Sequence, residues 1–133
     1  MASILRVNTL TDASSGNSTA MSTINQGTAK AWINFKGTDT VTVRDSFNHS
    51  TLTDNGTGNF NNTLATALGS ADYSLTATCG RSPNVGGTET PLAYMADDAF
   101  TPTTNAYRVY SVGVGIALQN QDRNFNAIHG DLA

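Results

Sequence analysis

The chain predicts an all-β fold: an antiparallel β-sandwich or jelly-roll-like domain preceded by an extended N-terminal arm. Three observations carry that expectation. From Lys30 onward, hydrophobic residues alternate with polar ones in several short runs, Gly, Pro, Asn or Asp separates many of those runs, and no segment there sustains helical spacing. Charged residues make up only 13% of the chain, against about 25% in an ordinary globular protein, and Thr, Asn and Ser fill the difference. Short hydroxyl and amide side chains suit the exposed faces of pleated sheets.

Residues 1–29 read as an arm and 30–133 as the β domain. Ile4 to Leu10 could form a short strand, and Thr11 to Ala29 has the composition of a polar linker in which Met21 and Ile24 could make a brief helical turn. In Ala31–Phe35, Ala31, Ile33 and Phe35 share one face while Trp32 and Asn34 take the other. Next, Val41, Val43 and Asp45 are expected on a common face, with Thr42 and Arg44 opposite.

Phe47 and Leu52 flank an Asn-His-Ser-Thr step, which reads as a departure toward a rim. Asp54-Asn55-Gly56-Thr57-Gly58 then supplies the residues of a reversal, so Phe60, Asn62 and Leu64 follow as the second strand of a hairpin. Tyr73, Leu75, Ala77 and Cys79 alternate with Ser and Thr. Gly80 to Pro91 is the longest internal loop candidate, and Leu92, Tyr94 and Phe100 are expected to return toward the core. The strongest alternation spans Arg108 to Leu118, with Tyr110, Val112, Val114, Ile116 and Leu118 on one face. Val109, Ser111, Gly113 and Gly115 on the other would admit a close neighbour. A last strand runs through Phe125, Ala127 and His129 or through their neighbours, Ile128 among them.

Length suits one domain with its own core. Net charge is -3 and the seven basic residues are scattered, so no track for a nucleic-acid backbone exists. No run of apolar residues is long enough to span a bilayer, and the first residues lack a leader pattern. Cys79 is the only cysteine, which suits a buried small hydrophobe made in a reducing compartment.

Catalytic chemistry finds no foothold in the motifs. Glu89 is the sole Glu, and the adjacent Asp97-Asp98 pair would face opposite ways in an extended segment. His49 and His129 have no companion at metal-ligand spacing, serines lack a nucleophile elbow, and Gly56-Thr57-Gly58 lacks a phosphate-loop continuation. The expectation is no catalytic residue, no metal and no cofactor. Recognition falls instead to loops and aromatics: Asp54, Asn55, Thr57, Asn59, Arg81, Asn84 and Glu89 as contact loops, and Trp32 and Tyr94 as aromatic contacts. Tyr107 and Tyr110 join them if exposed.

Val7–Ala13 (VNTLTDA), Ala31–Phe35 (AWINF), Arg44–Asn48 (RDSFN) and Thr53–Gly58 (TDNGTG) occur in that order. Together they resemble modules of tailed-bacteriophage fibres and related virion proteins over most of residues 4–80. The resemblance implies a noncatalytic virion structural protein on the tail or capsid surface, assembled in the host cytoplasm, and a homotrimer. A short tail fibre or fibre tip is the first expectation; a capsid decoration, head fibre or tail-assembly protein is the alternative, and a free carbohydrate-binding module is the next. The arm, through Ile4, Leu5, Val7 and Leu10, would hold other virion proteins. The β domain would meet a host surface glycan or protein, with neither nucleic acid nor membrane insertion involved.

Overall fold

The computed structural model describes residues 6–14, 16–80, 92–95, 100–113 and 117–131. Within them the protein is all-β with three antiparallel sheets and one short helix. The first sheet is a hairpin of β1 (Thr9–Thr11) and β2 (Ser18–Ala20), followed directly by α1 (Met21–Gly27). Eight further strands follow: β3 (Ala31–Lys36), β4 (Thr42–Phe47), β5 (His49–Asp54), β6 (Asn59–Leu64), β7 (Ser74–Gly80), β8 (Leu92–Met95), β9 (Ala106–Val112) and β10 (Arg123–His129). They form two four-stranded sheets, ordered β4-β3-β10-β7 and β5-β6-β9-β8.

The segment before Lys30 is more structured than its polar composition implies. Asp12 organises the hairpin turn: one carboxylate oxygen accepts from the Ser14 hydroxyl at 2.9 Å and the Gly16 amide at 3.0 Å, the other from the Asn17 amide at 2.7 Å. The arm is therefore not simply extended. An Asx-type turn folds it back, because a carboxylate competes well for backbone and side-chain donors close by in sequence. α1 follows and closes with the Thr28 amide donating to the Ile24 carbonyl at 3.0 Å. At its far end the Lys30 ammonium donates to the Asn25 carbonyl and to the Thr28 hydroxyl, which lets an otherwise costly buried lysine sit at the start of β3.

One core draws on both four-stranded sheets. β3 contributes Ala31, Ile33 and Phe35 and β10 contributes Ile128; from the other sheet come Phe60 and Leu64 of β6 and Tyr107 and Val109 of β9, with Leu68 beside them. Phe35 and Phe60 meet edge-to-face across this core, ring centroids 5.0 Å apart, a contact worth about 0.5–1.5 kcal/mol beyond the area it buries. The β3 expectation holds residue by residue, with alternate burial from Ala31 to Phe35.

Three face assignments do not hold. β4 carries a bulge against β3, so that Asp45 pairs with Asn34 but Val43 pairs with Phe35. The extra residue, Arg44, places Val43 and Asp45 on different faces, whereas strict alternation puts them together. In β9 the buried set is Tyr107, Val109 and Ser111, and Tyr110 faces outward. Register explains this: Val109 lies opposite Phe60 and Tyr107 opposite Asn62, both directed to the core. Val112 at the end of β9 is also buried, while Leu118 is exposed; Val114, Gly115 and Ile116 lie outside the described residues. Tyr94 and Leu92 likewise stay exposed and Ala93 enters the interior instead. After β6, Leu68 is buried and its amide donates to the Thr104 carbonyl at 2.7 Å.

Hairpin β5–β6 forms where expected. Gly56 and Gly58 both have positive φ, and the Asp54 carboxylate accepts from the Gly56 amide at 2.9 Å. The corner between β4 and β5 turns at Asn48, φ 52°. Its side-chain amide donates to the carbonyls of Lys30 (3.0 Å) and Thr66 (3.1 Å), and its oxygen accepts from the Thr66 amide at 2.7 Å.

Candidate functional site

Because the inner faces are filled by core residues, whatever these sheets present to a partner sits on their outer faces and turns. The two faces differ in chemistry. On the β4-β3-β10-β7 sheet, Phe47 lies directly opposite Trp32, Trp32 opposite Ala127, and Phe125 one row further along opposite Asn34. Phe47, Phe125 and Trp32 are 52%, 41% and 37% exposed. Three large aromatics this accessible on adjacent strands form a patch of the kind that marks an interaction surface. Beside it an open groove of about 410 Å³ is lined by Asn34, Arg44, Arg123 and Phe125. Arg44 reaches this position because it is the bulged residue, and it is fixed there by Asp122, to both carboxylate oxygens at 3.1 Å and to its backbone carbonyl at 2.8 Å.

The outer face of the β5-β6-β9-β8 sheet is more polar. Tyr94 of β8, Tyr110 of β9 and Asn59 of β6 are consecutive cross-strand neighbours, and Arg108, Asn61 and Thr53 form the next row. The two tyrosine rings stand edge-to-face, centroids 5.7 Å apart at 83°. Arg108 donates through Nε to the Asn61 side-chain Oδ1 at 2.6 Å, and its guanidinium lies over the Phe100 ring at 5.1 Å.

The recognition residues expected from sequence are thus divided. Trp32 and Tyr94 stand on the outer faces of different sheets. Tyr107 is buried and belongs to the core, while Asn59 and Tyr110 join Tyr94. Asp54, Asn55 and Thr57 are exposed at the β5–β6 turn, where the Asp54 carboxylate is engaged by the turn itself. Arg81, Asn84 and Glu89 lie outside the described residues, as do Ile4 and Leu5 and the Asp97-Asp98 pair; Val7 and Leu10 are exposed. Phe47, Phe125, Arg108 and Asn61 were not singled out by sequence. Their signal was parity: Arg108 with Tyr110, and Asn59 with Asn61, are two apart on single strands.

Titratable groups inside the fold are perturbed mainly by burial. It lowers the His49 imidazole from its ordinary value, and Nε2 is shielded from solvent with no hydrogen-bond partner among the described residues. Burial pushes the Cys79 thiol up and the Tyr73 phenol up to about 12. Tyr107 is raised further, again by burial; its hydroxyl faces Asn126, whose amide makes no well-formed hydrogen bond. Asp12 is lowered by the donors of Asn17 and Ser14. Among the described residues, no group of three or more His, Cys, Asp or Glu side chains comes together where a metal ion could be held.

Comparison with family models, with curated proteins and with solved structures finds no match for the chain.

Proposed function

We propose that the protein is a noncatalytic structural component of a tailed-phage particle, a short trimeric tail fibre or fibre tip whose β domain contacts the host surface. The ordered motifs quoted above support the phage assignment. The observation that carries the assembly part is the Phe47–Trp32–Phe125 patch: its exposed aromatics suit burial against another copy of the chain. Its surroundings hold both signs of charge, Arg44, Arg123, Asp45 and Asp122, so copies can meet without net repulsion. The two four-stranded sheets, with one core between their inner faces, support reading the domain as a β-sandwich or jelly-roll-like module. The arm, with Val7 and Leu10 exposed, is read as the segment that holds other virion proteins.

Light scattering on the purified protein tests the assembly: a trimer mass is expected, with Trp32→Ser or Phe47→Asp shifting it to monomer while far-UV circular dichroism stays unchanged. A wild-type monomer at micromolar concentration, together with absence of the protein from imaged particles, would remove this reading. Particles decorated on the head, with normal host adsorption after loop substitution, would place the protein among capsid decorations or head fibres. Sustained turnover of host polysaccharide by the purified chain would overturn the noncatalytic assignment.

A further inference from the structure

We infer that the outer face of strands β8, β9 and β6 is a binding site for a saccharide bearing a carboxylate, such as a uronic-acid-containing surface polysaccharide. The inference deepens the host-contact reading and rests on it for the source of the glycan; the binding is a property of the chain alone. Sugar rings present C–H faces that pack on aromatic rings and hydroxyls that need amide and guanidinium partners. This face supplies both in two adjacent rows.

Tyr94 and Tyr110 form a corner in which one ring meets the edge of the other, with Tyr94 38% exposed. Asn59 borders that corner and Asn61 lies two residues further along β6. The Asn61 side-chain oxygen Oδ1 is taken by Arg108, while its side-chain nitrogen Nδ2 makes no hydrogen bond among the described residues.

Arg108 decides the ligand class. Nε is occupied by Asn61 and the plane is steadied by Phe100, which among the described residues leaves the two terminal nitrogens as a paired donor edge. Among the described residues no carboxylate forms an ion pair with it, whereas Arg44 on the opposite sheet is held by Asp122. A planar, pre-oriented guanidinium with that edge open matches a carboxylate bidentately. The other aromatic face differs: its exposed rings are two phenylalanines and one tryptophan, and both nearby arginines share one carboxylate, Arg44 held by Asp122 at 3.1 Å and Arg123 with its Nε 3.8 Å from the same side chain. Its chemistry suits protein packing.

The test is a titration of isotope-labelled protein, followed by NMR, with α-1,4-linked trigalacturonate and, in parallel, the neutral trisaccharide maltotriose at millimolar concentrations. Saturable shifts centred on β6, β8 and β9 are expected with the acidic sugar, and weaker binding of the neutral one. Tyr94→Ala should weaken binding by roughly tenfold or more. Tyr94→Phe should retain most of it. Arg108→Gln should erase the preference for the acidic sugar, and Lys36→Gln, which removes a cation from the other sheet, should leave binding intact. Saturation by neither sugar, equal affinity for both, or a preference that survives Arg108→Gln would overturn the inference. Light scattering on the same samples reports trimer formation independently, so failure of sugar binding and failure of the assembly reading are separate results.

Discussion

Replacing Gly58 with Ala tests how closely the β5–β6 turn is pressed against the rest of the fold. Gly58 has φ +64°, and a Cβ there would lie 2.4 Å from the Ser111 carbonyl oxygen and 2.7 Å from the Gln119 amide nitrogen. Both are backbone atoms, so neither can swing aside as a side chain would. The glycine also accepts from the Ser111 amide at 2.8 Å and donates to the Asn120 side chain at 2.6 Å. An alanine in the left-handed region costs about 1–2 kcal/mol, and relieving the contact disturbs two hydrogen bonds worth about 1 kcal/mol each. The expected loss is therefore roughly 3–4 kcal/mol, a large part of the ~5–15 kcal/mol of a typical domain.

Gly56 supplies the comparison. It has φ +114°, and a Cβ there would meet nothing within 4 Å, so Gly56→Ala encounters backbone strain alone. Because +114° is the less forgiving conformation for an L-residue, strain by itself would make Gly56→Ala the more damaging change. The Ser111 and Gln119 contacts reverse that order. Urea unfolding followed through Trp32, the only tryptophan, measures both variants, with an unchanged slope confirming that stability alone has moved. Gly58→Ala costing no more than Gly56→Ala would refute the close approach.

Asn48→Gly should keep the turn's positive φ and lose only the bonds to Lys30 and Thr66, whereas Asn48→Ala loses both, and urea midpoints should show Ala the worse by about 1 kcal/mol. His49, lowered by burial, stays neutral in the folded state at pH values where the unfolded chain has begun to take up a proton. Stability is thus full above the ordinary imidazole value of about 6.5 and declines as pH falls below it. His49→Gln should flatten the change in urea midpoint between about pH 7.5 and 5.5, and an undiminished slope in the variant would assign the effect elsewhere. Cys79, raised by burial, should react with a thiol reagent more slowly in the native protein than in urea; equal rates would contradict its placement.

Some of this was legible in the residues and some was not, for physical reasons. β3 could be read because its large apolar residues at Ile33 and Phe35 outweigh the other face, leaving Trp32 as the exception that faces out. β9 could not, since Tyr107, Val109, Tyr110 and Val112 load both parities and only the partner strand selects which enters the core. The Arg44 bulge leaves no local mark, yet it decides the face of every residue before it in β4. Composition was also an incomplete guide to amides. Asn62, Asn124, Asn126 and Gln121 are all buried, and the Asn62 and Asn126 side-chain amides have no well-formed hydrogen bond among the described residues. Amide-rich sequence reads as solvent-facing by default, because an unpaired amide in the interior costs about 1–3 kcal/mol. The site divided in the same way. Tyr94 and Asn59 were visible as residue types, but their union with Tyr110, Arg108 and Asn61 depends on three-strand register.

β10 occupies the middle of its sheet, hydrogen-bonded along both edges to β3 and β7, although it follows all the other described strands. A ribosome that has made residues only as far as Gln121 has therefore produced β7 without a partner and β3 with one edge bare. Hydrophobic strands so exposed are templates for pairing with neighbouring nascent chains. Closure of the sheet waits for the last strand and joins β3 to a segment about 90 residues away, a non-local step that is slow for its size. A premature stop before Arg123 would consequently yield an aggregating chain, rather than a slightly shortened but working one.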